Sequence, residues 1–117
     1  MRVARHPTNI RRMLASRLRQ VSARKPLLLA SLSQIGRVCG NPSCRCARGH
    51  KHVGHQLTFK VHGKTRTVYV PVDFTEEVRS WIEEHRRLQR LFQEISQLAL
   101  ALVRSHVQER RRRRGRS

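Results

Sequence analysis

Acidic residues are scarce in this sequence, and the first of them is Asp73. The segment from Met1 to Val72 contains fifteen Lys and Arg residues and no Asp or Glu. Such a segment repels itself unless a polyanion neutralises it. The shortage also leaves no carboxylate near the cysteines of the chain to orient a catalytic base, so the sequence argues against an enzyme.

Aromatic and apolar residues are also few. Aromatic residues make up 4% of the 117 residues and apolar residues 38%, so one small domain can bury only a modest core. No run of 18 apolar residues occurs, and we therefore expect no membrane-spanning helix. The β-rich runs over 56–61 and 65–70, joined by the three residues 62–64, predict a hairpin. Phe59 and Tyr69 are the only aromatic residues in this predicted hairpin, which argues against a platform for stacking single-stranded bases.

The few cysteines of the chain lie together. All three fall within eight residues, and three histidines follow within the next nine: Cys39, Cys44, Cys46, His50, His52 and His55. Thiolate sulfur with imidazole nitrogen is a ligand set that Zn²⁺ prefers. We predict a zinc site formed by Cys39, Cys44, Cys46 and His52, with His50 as the alternative fourth ligand and His55 left open. Four protein ligands leave no position for a substrate or an activated water, so this Zn²⁺ would be structural.

Two other interpretations of the cysteines stay open, namely reduced thiols without a role and thiol redox chemistry. A disulfide would leave one of the three cysteines over, and the chain shows no secretory signal peptide. We therefore expect a cytoplasmic protein with reduced or metal-bound thiols. A zinc ion would also compensate for the small core.

Positive charge is concentrated at both ends of the chain. Between Asp73 and Glu109 there are five basic and seven acidic residues, whereas Arg110 to Ser117 contain six arginines, and the net charge of the chain is +19. Arg accounts for 22 of the 26 basic residues, and its planar guanidinium suits phosphate. A GC-rich genome would explain Arg in place of Lys, but not 72 residues without an acid. The sequence therefore predicts phosphate contacts with a nucleic acid, with DNA favoured over RNA.

The cations expected to contact nucleic acid fall into three groups. They are Arg11, Arg12, Arg17 and Arg19 on the N-terminal helix; Arg45, Arg48, Lys51, Lys60, Lys64 and Arg66 near the cysteines and on the hairpin; and Arg110, Arg111, Arg112, Arg113, Arg114 and Arg116 in the tail. We expect the second group to form one patch on the sheet. A solvated sheet face is the alternative, because strands commonly carry cations outward.

Hydrophobic periodicity predicts an α+β fold. It consists of a small zinc-stapled antiparallel β-sheet of about three strands, a basic N-terminal helix and one long C-terminal helix. The predicted parts in chain order are a basic arm over 1–8, a single domain over 9–109 and a disordered Arg-rich tail over 110–117. Within the domain we predict the N-terminal helix over 9–23, the cysteines and the sheet over 31–71, and the long helix over 73–109.

The long helix has more apolar residues than a three-stranded sheet can cover. We predict that it begins with a capping box formed by Asp73 and Glu76. We also predict that Asn9 caps the N-terminal helix. Apolar residues keep helical spacing from Val78 to Val103, and the helix would be about 50 Å long at a rise of about 1.5 Å per residue. Its surplus apolar stripe needs cover from the N-terminal helix or from a second copy of the chain, and the sequence leaves both open.

Three runs of the sequence resemble a known family. The run CGNPSCRCARG with a histidine after it, the run VHGKTRTVYVP and the helix start EEVRSWIEEHRRLQ are similar to an uncharacterised family of short bacterial and archaeal proteins, a domain of unknown function. The resemblance covers about residues 28–104 and implies a neighbourhood of mobile elements or transposases. Residues 53–56, VGHQ, stand where that family usually has aromatic residues. The family brings no established activity with it.

Two classes of function fit these features. The first is a noncatalytic zinc-binding, nucleic-acid-binding protein that contacts duplex DNA through phosphates. The second is an adaptor or dimerisation module that joins a protein partner through the long helix, with the charge serving solubility or an acidic partner. No small-molecule substrate is expected for either.

Elemental analysis of the purified protein is expected to find one Zn²⁺ per chain. Cys39→Ser and His52→Ala should each remove the metal and unfold the hairpin, because each deletes one of four ligands of a structural site. Protein that folds without metal would contradict the stapled sheet and leave an adaptor built on the long helix.

Overall fold

The fold is α+β, as the sequence predicts. The computed structural model describes residues 1–37 and 52–115. Its elements in chain order are helix α1 (Pro7–Arg19), strands β1 (Ser31–Arg37), β2 (His52–Val61) and β3 (Lys64–Val70), a 3₁₀ turn (Val72–Phe74) and helix α2 (Thr75–Gly115). The described part of the chain therefore confirms a three-stranded antiparallel sheet, an N-terminal helix and one long C-terminal helix. No described helix is both long and apolar enough to cross a membrane.

Helix α1 begins before Asn9, the residue that the sequence indicates as its cap. His6 is the N-cap, and its Nδ1 accepts a hydrogen bond from the backbone N–H of Thr8 at 3.2 Å. Pro7 occupies the start of the helix. Proline suits this position because its φ is already helical and its missing N–H would have no partner there. The helix ends at Arg19, earlier than predicted.

The sheet has the strand order β1-β2-β3. β1 pairs with β2 in an unbroken antiparallel register along its whole length. β2 and β3 form a hairpin whose two turn residues, His62 and Gly63, have φ values of 51° and 79°. Positive φ at both turn positions matches the twist of the flanking strands, and glycine adopts it without a steric cost. The predicted hairpin is therefore present, with a turn one residue shorter than expected.

Tertiary contacts divide the chain into two compact units, and residues 25–85 form the unit that contains the sheet. The core of this unit consists of Val70, Val78 and Ile82, with Leu28, Leu32 and Leu57 packed against them. The backbone N–H of Leu28 donates to the carbonyl of Trp81 at 3.3 Å, and the ring of Trp81 meets Phe74 edge to face at 5.4 Å. The first turns of α2 thus cover one face of the sheet.

The start of α2 differs from the predicted capping box. Val72–Phe74 form a 3₁₀ turn, and α2 begins at Thr75, whose hydroxyl donates to the carbonyl of Val72 at 2.9 Å. Asp73 therefore lies in the turn before the helix. Glu76 is in the first turn of α2, where the helix dipole favours negative charge.

The other unit consists of Met1–Arg24 and Arg86–Ser117, which include α1 and the greater part of α2. The buried apolar side chains of this unit are Ile10, Leu88, Leu91 and Leu98. Ile10 comes from α1 and the three leucines from α2. The N-terminal helix therefore packs within the chain, which was one of the two alternatives open for the apolar stripe of the long helix.

Polar contacts join α1 to α2 within this unit. The guanidinium Nε of Arg17 donates to the Glu94 carboxylate at 2.8 Å. Arg87 donates to the backbone carbonyls of Gln20 and Ser22 at 3.2 and 2.9 Å. These carbonyls follow the last turn of α1, where backbone acceptors lack helical partners. Arg87 therefore stabilises the end of α1.

Helix α2 continues to Gly115, beyond Glu109, where the sequence predicts a disordered tail. Arginine is a good helix former, and cations are favourable near the negative end of the helix dipole. Glu109 also pairs with Arg113 one turn further on, with Oε1 3.5 Å from Nε. These local effects oppose the repulsion among the arginines.

Leu98→Ala is expected to lower the free energy of unfolding by about 2 to 5 kcal/mol, because the change leaves a cavity in a closed core. Leu98 has no exposed surface. The matched control Leu29→Ala removes the same atoms from a side chain that is 72% exposed, so its effect should stay below about 0.5 kcal/mol. Denaturant titration followed by circular dichroism measures both, and equal losses would contradict the burial of Leu98.

Candidate nucleic-acid interface

The N-terminus of α1 is a positively polarised helix end. Its first turn contains no acidic residue. The dipole of a helix places about half a positive charge at this end, which favours an anion there. Because Nδ1 of His6 accepts from Thr8, the neutral ring carries its proton on Nε2. Nε2 of His6 is therefore a hydrogen-bond donor at the same end of the helix.

A cleft lies beside this helix end, between α1 and the last turns of α2. Its volume is about 580 Å³. The ionisable side chains that line it are Arg5, His6, Arg11, His106, Glu109, Arg112 and Arg113, and we name this set the cationic cleft. Ligand sites commonly have volumes of about 300–1,000 Å³, so the cleft has room for a phosphodiester group.

Four arginines and only one acid line the cationic cleft. The acid, Glu109, pairs with Arg113, and the two side chains are 52% and 77% exposed. Water screens an exposed ion pair strongly, so the pair holds Arg113 only weakly. A guanidinium has five N–H donors, most of which this single contact leaves available. The cleft therefore combines net positive charge with donors in the fork geometry that phosphate accepts.

The other predicted arginines of α1 differ in their surroundings. Arg12 and Arg19 are exposed. Arg17 is half-buried and forms the 2.8 Å ion pair with Glu94. Because the Glu94 carboxylate already binds its guanidinium, Arg17 joins α1 to α2. The ion pair explains this arginine without a phosphate contact.

The hairpin cations do not share one face. The register pairs Lys64 with Val61, and Lys60 is the neighbour of Val61 along β2. Paired residues of antiparallel strands lie on the same face, whereas neighbours along a strand alternate. Lys60 therefore lies on the face opposite to Lys64, and Arg66 lies on the face of Lys64. Of the six cations expected to form one patch on the sheet, the three that the structure describes therefore lie on two different faces.

Most of the predicted zinc ligands lie outside the described residues. Those outside are Cys39, Cys44, Cys46 and His50, together with the predicted cations Arg45, Arg48, Lys51 and Arg116. His52 is the first residue of β2, and its backbone pairs with Arg37, the last residue of β1. β1 therefore ends and β2 begins at paired positions. Among the described residues, no three His, Cys, Asp or Glu side chains form a group that could hold a metal ion.

His55 lies inside β2, opposite the buried Val70 of β3. Its Nδ1 is buried and has no hydrogen-bond partner among the described residues. A buried polar atom without a partner is unfavourable by about 1–3 kcal/mol. An imidazole nitrogen in this state suits a metal ion, so His55 stays a candidate ligand alongside His52.

Sequence reasoning missed three of the basic residues of the cationic cleft, namely Arg5, His6 and His106. The signal that could have found His6 is Pro7, because proline favours the first position of a helix and so places the helix start beside its neighbour. No sequence pattern places His106 beside Arg5. Their proximity depends on the packing of α1 against α2.

Comparison with protein families matches residues 11–80 to a family described as Domain of unknown function (DUF6788). The match spans more than half of the chain, and the chain belongs to this family. Comparisons with curated proteins and with solved structures find no match. Membership of an uncharacterised family, which the sequence indicates, is thereby confirmed. The matched residues include the cysteines, the sheet and the first turns of α2.

Proposed function

We propose that this member of the DUF6788 family is a noncatalytic nucleic-acid-binding protein that holds duplex DNA through its phosphates. The cationic cleft is the observation that carries the proposal. Arg11 and Arg112 are a hundred residues apart in sequence, yet both line this one cavity. Like charges that folding brings together repel each other, and an anion between them removes the repulsion.

Phosphate fits the chemistry of the cleft at three points. Arginine binds phosphate oxygens with two parallel N–H donors. The N-terminus of α1 adds backbone polarity of the same sign, and its first turn has no acid of its own. The Nε2 of His6 adds a neutral donor. Phosphate contacts of this kind set the affinity of most proteins that bind nucleic acid without reading its sequence.

Duplex DNA is the favoured form of nucleic acid because few aromatic side chains are placed to stack on bases. In the hairpin, Tyr69 is exposed and Phe59 is half-buried. Phe74 is engaged with the ring of Trp81. Proteins that bind single strands rely on successive exposed aromatic side chains, whereas a duplex offers phosphates at regular spacing to cations on a rigid helix.

A structural zinc ion at the end of the sheet is the second part of the proposal. Cys39 follows Arg37 by two residues in the sequence. Arg37 in turn pairs with His52. This order of residues favours Cys39 and His52 as ligands of one ion, and the unpartnered Nδ1 of His55 offers the alternative nitrogen. The metal would hold together the ends of β1 and β2 and take no part in catalysis.

The double variant Arg11→Gln with Arg112→Gln is expected to bind duplex DNA more weakly and with a shallower salt dependence. Each phosphate contact contributes about 0.9 to the slope of log K against log salt concentration, so two lost contacts should reduce the slope by about 1.8. Fluorescence anisotropy of a labelled duplex over a series of NaCl concentrations measures the slope. Circular dichroism of the variant checks that it is folded.

The matched control is Arg90→Gln with Arg104→Gln, which removes the same charge from exposed positions of α2 outside the cleft. Its slope should stay closer to that of the unchanged protein. Equal reductions in both variants would show that charge acts diffusely and that the cleft is not the site. Tighter binding to single-stranded RNA than to the duplex would overturn the choice of DNA, and no salt-dependent binding at all would favour an adaptor.

A further inference from the structure

Helix α2 carries a second apolar face, which is exposed in the described part of the chain. Four large side chains of this face are 42% to 58% exposed. Their spacing of eight, three and four residues places them on one side of the helix, with two small exposed residues between them. We name this set the α2 stripe, and it consists of Phe92, Ser96, Ala99, Leu100, Val103 and Val107.

The α2 stripe is distinct from the face of α2 that is buried in the same unit. Leu91 and Leu98 lie seven residues apart on the buried face and are 6% and 0% exposed. At about 100° per residue, Val103 points about 140° away from Leu98 around the helix axis. The side chains that pack with α1 therefore leave the α2 stripe uncovered.

Charge is almost balanced along the α2 stripe, unlike the rest of the chain. Between Phe92 and Val107 the ionisable side chains are Glu94, Arg104 and His106. In a chain with a net charge of +19, two copies repel each other over most of their surface. The α2 stripe is a segment where apolar surface is exposed and that repulsion is small.

We infer that the α2 stripe is the interface with a second copy of this chain, and that the two α2 helices pack against each other antiparallel along it. An antiparallel pair centred between Ala99 and Leu100 sets Phe92 opposite Val107 of the other copy. It also sets Ser96 opposite Val103. Large side chains then face smaller ones, so the stripe is complementary to itself.

The arginine run selects the antiparallel orientation. A parallel pair would bring Arg110–Arg114 of both copies side by side, and like charges on facing helices are destabilising. An antiparallel pair in this register places the two runs at opposite ends of the interface, where each faces His85–Gln89 of the other copy, a segment with two arginines instead of five. A dimer of this kind also contains two cationic clefts, although the interface itself does not depend on nucleic-acid binding.

Sedimentation velocity of the full chain tests the inference. The unchanged protein is expected to form dimers at micromolar concentration, and the dimer fraction should rise with NaCl because salt screens the repulsion. Val103→Asp should give monomers with an unchanged helical signal in circular dichroism. The matched control Gln97→Asp adds the same charge at an exposed position on another side of α2 and should stay dimeric.

Paired charge variants test the orientation. Phe92→Lys and Val107→Glu should each be monomeric alone, and their mixture should form a heterodimer, because an antiparallel pair places the new Lys opposite the new Glu. A parallel pair would keep the two charges fifteen residues apart and give no rescue. The absence of rescue in a protein that is otherwise dimeric would overturn the antiparallel arrangement.

A chain that stays monomeric at high salt, or a dimer that survives Val103→Asp, would overturn the interface. The test of the interface and the test of the proposed function respond to salt in opposite directions. Added NaCl should raise the dimer fraction and lower the affinity for DNA. A dimer that binds no DNA would therefore sink the proposed function alone. A monomer that binds DNA would sink the interface alone.

Discussion

The cores of both compact units of the chain are built on apolar side chains of one helix, α2. Val78 and Ile82 of α2 belong to the core with the sheet, whereas Leu91 and Leu98 are buried in the unit that contains α1. Each core therefore depends on the helical spacing of its own part of α2 (Thr75–Gly115). A glycine in the interior of α2 would destabilise the helix by about 1 kcal/mol and a proline by about 3 kcal/mol. Neither residue occurs in α2 before Gly115.

Electrostatics gives the cationic cleft its character. The C-terminal end of α2 has the negative end of a helix dipole, which stabilises Arg112 and Arg113 there. The N-terminus of α1 has the positive end and no acid in its first turn. The two ends meet at one cleft, where the only acid is the exposed Glu109. An anionic ligand would satisfy both the free helix end and the surrounding guanidinium groups, which is why the proposed function relies on phosphate.

Elements that depend on local sequence were predicted well. The β-rich runs on either side of His62 and Gly63 became β2 and β3, and the apolar spacing after them became α2. The misses arose where two local signals competed. Pro7 outweighed Asn9 at the start of α1, and the helix propensity of arginine outweighed the compositional signal for disorder after Glu109. The prediction that the hairpin cations share one face was wrong for another reason. Only the strand register shows that Lys60 and Lys64 lie on opposite faces.

Local patterns were sufficient to predict the α+β class, the position of the hairpin, the cluster of candidate zinc ligands and the shortage of acids. These features depend on composition and on patterns within a few residues. The packing of distant segments, in contrast, places Arg17 against Glu94 and Arg11 in a cleft with Arg112. It also decided which apolar face of α2 is buried and which, from Phe92 to Val107, is exposed. The physical reason is that helical periodicity determines which residues share a face, whereas the neighbour of that face is set by the packing of segments distant in sequence.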